Sequence, residues 1–110
     1  MTLTNKQREI FIKSMIAIDD RWALRALIVV YDNQTSDEQR GRYVDRMNGV
    51  GFTKSDARLM SVFAQLYKDK GLTENQILQV KLRMPKYWKQ ILAVSNIVKL
   101  DQLIITQKTA

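Results

Sequence analysis

Apolar positions recur along this chain at intervals of three and four, the spacing of one face of an α-helix. Thr4-Asn5-Lys6-Gln7 has the form of a capping box, in which a Thr and a Gln three residues later satisfy two orphan amide donors at a helix start. The helix it opens is predicted to reach Ile18, with Ile10, Phe11, Ser14, Met15 and Ile18 on one stripe. Asp19 and Asp20 interrupt, and either suits the cap of a second helix over Arg21 to Tyr31. That segment (Trp22, Ala23, Leu24, Ala26 to Tyr31) is apolar nearly all round, as expected of a helix in the middle of a core. The β-branched residues within Leu27 to Tyr31 would suit a strand, but the whole segment is too long for one.

Asp32-Asn33-Gln34 reads as a loop, and Thr35-Ser36-Asp37-Glu38 as another capping box opening a third helix to Met47, ended by Asn48-Gly49. Gly49-Val50-Gly51 is then a short connector. Thr53 is expected to cap a fourth helix, with Asp56 three residues on. Leu59, Met60, Phe63, Leu66 and Tyr67 recur at helical spacing until Gly71 stops it. Leu72-Thr73-Glu74-Asn75-Gln76 repeats the opening pattern in form, and Leu72 is placed to staple onto Ile77. The likeness does not continue downstream, so it is shared capping chemistry and not a repeat. A fifth helix is predicted over Glu74 to Met84. Pro85 either ends it or sits in the first turn of a sixth helix, Lys86 to Val94. The pattern therefore predicts an all-α protein: a compact bundle of about five to six short helices over residues 1–95. Residues 96–110 form a C-terminal tail that fits a helix, an extended arm, a self-association segment or partial disorder.

Composition narrows the function more than the fold. A chain of 110 residues with 45% hydrophobic residues suits one domain with one core. The N-terminal segment lacks the apolar core of a secretory signal, and no apolar run is long enough for a membrane span, so a cytoplasmic protein is expected. There is no cysteine and no histidine. That removes disulfides, thiolate metal sites, the commonest zinc ligands and every Ser-His or Cys-His nucleophile pair. The acids stand singly or in local pairs, and no glycine-rich phosphate loop is present. The expectation is a binding protein with no cofactor and no catalytic residues.

Charge then suggests the partner. The net charge is +7, which favours acidic partners such as nucleic acid, anionic lipid or acidic protein surfaces. From Asn75 to Leu100 the chain carries Lys81, Arg83, Lys86, Lys89 and Lys99 and no acid. Tyr87 and Trp88 lie inside the cluster. Cations neutralise phosphates and release counterions, while exposed aromatic faces can stack unpaired bases. The competing reading makes the two aromatics core and the lysines a solvated face. Trp88 in particular shares a stripe with Ile91 and Leu92.

A helix-turn-helix across Lys70-Gly71-Leu72-Thr73 is a second candidate, with Asn75, Gln79 and Arg83 aimed at base edges. Tyr67 and Lys70 occupy positions where that motif normally carries a small and an apolar residue. Arg40, Arg42 and Arg46 read as a ladder of helix charge pairs with Glu38 and Asp45. Arg21 and Arg25, four apart, mark the one solvent-facing stripe of an apolar helix or pair with nearby aspartates. The five methionines read as core filler.

The run Trp22-Ala23-Leu24-Arg25-Ala26-Leu27, then Gln34-Thr35 with Glu38-Gln39, then Asn48-Gly49-Val50-Gly51-Phe52 with Asp56-Ala57, resembles small uncharacterised proteins of phages and plasmids. Leu72-Thr73 with Gln76, followed by Lys86-Tyr87 and Gln90, extends the resemblance to most of the domain. It implies a mobile-element protein that handles nucleic acid or interferes with a host machine that does.

Together these readings predict a non-catalytic nucleic-acid-binding protein (DNA or RNA) making backbone contacts of low sequence specificity. Its expected contacts are Asn75, Gln79, Lys81, Arg83, Lys86, Tyr87, Lys89 and Lys99. The alternative is a small interaction module or inhibitor whose basic face covers an acidic or nucleic-acid-binding surface of another protein. Either version leaves room for homo-oligomerisation through the tail.

Overall fold

The structure is a computed structural model that describes residues 3–39 and 51–109. It is an all-α bundle, with no strand among the described residues. α1 spans Asn5–Ile18 and opens with the expected capping box: Gln7 N donates to Thr4 Oγ1 at 3.2 Å, and Thr4 N donates to Gln7 Oε1 at 2.8 Å. Its core-facing stripe is rotated from the predicted one. Phe11, Ile12 and Ile16 are buried, whereas Ile10 and Ile18 are exposed, because α1 turns its 12–16 edge toward its neighbours. Asp19 separates α1 from α2 in one step. Its backbone is extended, ending the first helix, and its carboxylate accepts Arg21 N at 2.9 Å at the start of the second.

α2, Asp20–Gln39, is the central element and packs against α1 and against the later helices. Ala23, Ala26, Leu27 and Val30 are buried along it, as its apolar composition predicts. The expected break at Asp32-Asn33-Gln34 does not occur, and α2 runs unbroken through Thr35. The polar residues there serve contacts, not a loop. Thr35 donates its hydroxyl back to the carbonyls of Tyr31 and Asp32, which satisfies it inside the helix and leaves it no capping role. Gln34 is buried, with its amide nitrogen donating to Ser61 Oγ and its oxygen accepting Phe52 N. The end of the predicted third helix at Met47, with Arg40, Arg42, Arg46 and Asn48-Gly49, lies outside the described residues.

Gly51 and Phe52 lead into α3, Lys54–Asp69. Its buried face is Met60, Phe63 and Ala64. Thr53 holds the N-cap position without a side-chain capping bond; its hydroxyl lies beside Ser55 Oγ and Tyr87 Oη instead. Gly71 ends α3 with φ at +92°, and the amides of Lys70 and Gly71 both donate to the Leu66 carbonyl. α4, Glu74–Arg83, starts with the second capping box, both hydrogen bonds of which are present between Thr73 and Gln76. A single 3₁₀ turn, Met84–Tyr87, carries Pro85 in its first positions and passes directly into α5, Trp88–Val94.

The tail is a helix. α6, Ile97–Thr109, is capped by Asn96, whose Oδ1 accepts Lys99 N at 3.1 Å. It buries Leu100 and Ile104 and packs on α1. Arg8 of α1 reaches it with two parallel hydrogen bonds to Asp101, at 2.9 and 2.8 Å. That bond holds the Asp101 carboxyl below its ordinary range. Ile104→Ala should therefore lower unfolding stability by about 2 kcal/mol in a denaturant titration. An unchanged midpoint would mean that α6 does not dock. Methionine fills the core as expected: Met60 and Met84 are fully buried and Met15 packs against the cluster. No helix among the described residues is long and apolar enough to cross a membrane.

Candidate functional site

The acid-free segment acquires its acids from earlier helices. Lys81 on α4 pairs with Asp20 at the start of α2. Arg83 and Lys86 both converge on Asp56 in the first turn of α3, at 3.2 and 2.6 Å. Tyr87 is buried, and its hydroxyl donates at 2.6 Å to Asp56 Oδ2, the oxygen that also faces Lys86, while accepting Thr53 N at 3.0 Å. It packs edge-on against buried Phe52 and offers no face to a base. Three of the expected contact cations are thus tied to carboxylates and the expected stacking aromatic is interior. The acids were invisible in the local sequence because they come from α2 and α3.

Asp56 is the electrostatic centre of this arrangement. Burial pushes its carboxyl up, yet hydrogen bonds from Lys86, Tyr87 and Arg83 and the Lys86 charge outweigh that and hold it below the ordinary range. Burial first, and the Asp56 bond second, push the Tyr87 phenol up to about 12, against the smaller opposing effect of Thr53. The site is a structural staple: it ties the start of α3 to the 3₁₀ turn that aims α5.

The remaining expected residues are dispersed. Lys89 is exposed, with its ammonium 5.8 Å from the centre of the Trp88 ring, and Trp88 packs against the core. Asn75 is exposed on α4 and Gln79 is half-buried. The exposed stripe of α4 is Asn75, Leu78 and Leu82, and Leu82 is 70% exposed. A base-reading helix presents polar groups there, so α4 lacks the surface expected of the second helix in a helix-turn-helix.

Lys99 alone joins a cluster of a different kind. With Arg21 and Arg25 of α2 it lines an open cleft of about 600 Å³ between α2, α5 and α6. The arginines, four residues apart, lie on one helix face and are both exposed. Arg21 Nε stands 3.9 Å from Asp19, and Arg25 and Lys99 have no ion pair among the described residues. Among the described residues no carboxylate lines the cleft. Its apolar lining is Trp22, Ala26, Ile91, Val94, Leu100 and Leu103, and Ser95 and Asn96 edge it. Trp22 also makes an edge-on contact with Phe11, with ring centres 5.8 Å apart. The sequence supplied one signal for this site: two arginines flanking a tryptophan on a helix otherwise apolar. Nothing in it pointed to Lys99 as their neighbour.

Among the described residues no group of three or more acidic, histidine or cysteine side chains is gathered as a metal site would require. Comparison with known protein families, with curated proteins and with solved structures finds no match to this chain.

Proposed function

We propose that the protein is a non-catalytic nucleic-acid-binding protein that grips the phosphate backbone with little sequence preference. The observation that carries this reading is the convergence of Arg21, Arg25 and Lys99 on one cleft that no carboxylate among the described residues lines. Cations so arranged retain their field toward solvent, whereas Lys81, Arg83 and Lys86 spend much of theirs on Asp20 and Asp56. The net charge of +7 adds a long-range attraction for any polyanion. The resemblance read from the sequence motifs alone would suit a subunit of a nucleoprotein assembly encoded by a phage or other mobile element.

A salt titration of binding to short DNA and RNA oligomers tests this. The triple variant Arg21→Gln, Arg25→Gln, Lys99→Gln should lower the slope of log K against log salt by about 2, since each neutralised phosphate contributes roughly 0.7 to 0.9. Stability should be unchanged, because these side chains are exposed. A wild-type slope in the variant, or no binding by the native protein at about 50 mM salt, refutes the reading.

Exposed Leu78 and Leu82 favour a second reading, a protein-interaction module. Nuclease treatment separates the two: a stoichiometric protein complex that survives it, and that Leu82→Lys abolishes, supports the module.

A further inference from the structure

We infer that the cleft between α2, α5 and α6 seats an unpaired base, making the protein selective for single-stranded nucleic acid over duplex. This inference rests on the proposed nucleic-acid binding and names the form of nucleic acid that the cleft takes.

The cleft combines two chemistries that a duplex cannot use together. Its cations, Arg21, Arg25 and Lys99, suit phosphates, and Arg21 and Arg25 are separated by about 6 Å along the axis of α2. Its apolar lining includes Trp22, Ile91 and Leu103. A backbone binder of duplexes needs only the first, because paired bases stay stacked inside the helix. Extruding one costs several kilocalories per mole before any contact is made. A single strand already has its bases free to leave the stack, and a flat face of any base can rest on an aromatic or aliphatic wall. The volume of about 600 Å³ lies within the range of small-ligand sites and accommodates one nucleotide with its flanking phosphates outside.

The lining also carries the polar groups such an occupant would meet at its edge. Asn96 keeps its amide nitrogen free of any hydrogen bond among the described residues while its oxygen caps α6. Ser95 is already committed, donating to the Ile91 carbonyl at 2.7 Å. One amide at the rim cannot distinguish four bases, so little sequence preference is expected.

The experiment compares the full chain binding to single-stranded ten-nucleotide DNA and RNA with binding to the ten-base-pair duplex at the same salt. The chain has two tryptophans, Trp22 and Trp88, so Trp88→Phe leaves Trp22 as the sole tryptophan, whose emission is read apart from that of the tyrosines by selective excitation. Single strands should bind at least tenfold tighter than duplex and quench Trp22 emission. Leu103→Ser, an uncharged change at a half-exposed position, should weaken single-strand binding at least tenfold and affect duplex binding far less. Trp22→Leu should do the same, with circular dichroism to confirm the fold because Trp22 also contacts Phe11. Equal affinity for duplex, absence of quenching, or parental single-strand affinity in Leu103→Ser overturns the inference while leaving backbone binding in place. Binding to neither form removes both.

Discussion

Replacing Asp56 with alanine should destabilise the protein by about 2–4 kcal/mol, seen as a lower midpoint in urea at constant slope. The carboxylate is 1% exposed and accepts from three donors, Arg83, Lys86 and Tyr87. Its removal leaves the Tyr87 hydroxyl without that acceptor and two cations facing each other across the vacated space. Both cations are partly exposed and regain some hydration, which keeps the cost below that of a fully buried pair. The sign with pH follows from the depressed carboxyl. Its folded pKa lies below the unfolded one, so its stabilisation is complete above about pH 5 and is lost as pH falls through the folded value. Asp56→Asn should therefore flatten the acid limb of the stability profile while leaving the neutral region displaced downward by a constant amount. An unaltered acid limb in that variant would show that another carboxylate governs it.

Gly51→Ala should cost a comparable amount, about 2–4 kcal/mol, for an unrelated reason. Gly51 has φ at +79°, a region that side chains other than glycine rarely adopt. A Cβ placed there would meet Gln34 Cβ at 2.8 Å and Gln34 Cα at 3.1 Å. Neither atom can rotate aside, so the backbone of 51–52 must move away from α2. That movement breaks the clamp in which Gln90 accepts Gly51 N and donates to the Gly51 carbonyl, and it strains the Phe52 N bond to Gln34. Phe52, 1% exposed, would be drawn out of the core. Thermal unfolding of the variant measures the effect; a melting temperature within a degree or two of the parent would contradict this account. Gly71, with no atom near its missing Cβ, requires only the backbone freedom and serves as the milder comparison.

What could be read from the sequence was whatever depends on neighbours within a turn. The capping boxes at Thr4–Gln7 and Thr73–Gln76 form as expected, because donor and acceptor lie three residues apart. The same rule misplaced a helix start at Thr35. There the local pattern was right in form, but an in-helix alternative for the hydroxyl and tertiary partners for Asn33 and Gln34 carried α2 onward. The predicted stripe of α1 was off by a fraction of a turn, since an amphipathic face fixes a helix and not which neighbour it meets. The charge reading was incomplete for a related reason. A stretch without acids is unopposed only if the rest of the chain leaves it so, and Asp20 and Asp56 do not. Of the cleft only the Arg21–Trp22–Arg25 half left a local trace, because Lys99 stands far along the sequence and is brought to the arginines by the docking of α6.

That docking has its own thermodynamic consequence. α6 is fastened to α1 through Leu100, Ile104 and the Arg8–Asp101 fork, a contact that closes most of the chain into one loop. It also supplies Lys99 and Leu103 to the cleft wall. On the proposed reading, an occupant of the cleft would be bound in full only by molecules in which α6 is seated. Occupancy therefore tightens the closure between the first and last helices, and any change that loosens α6 lowers affinity by the fraction of molecules it unseats.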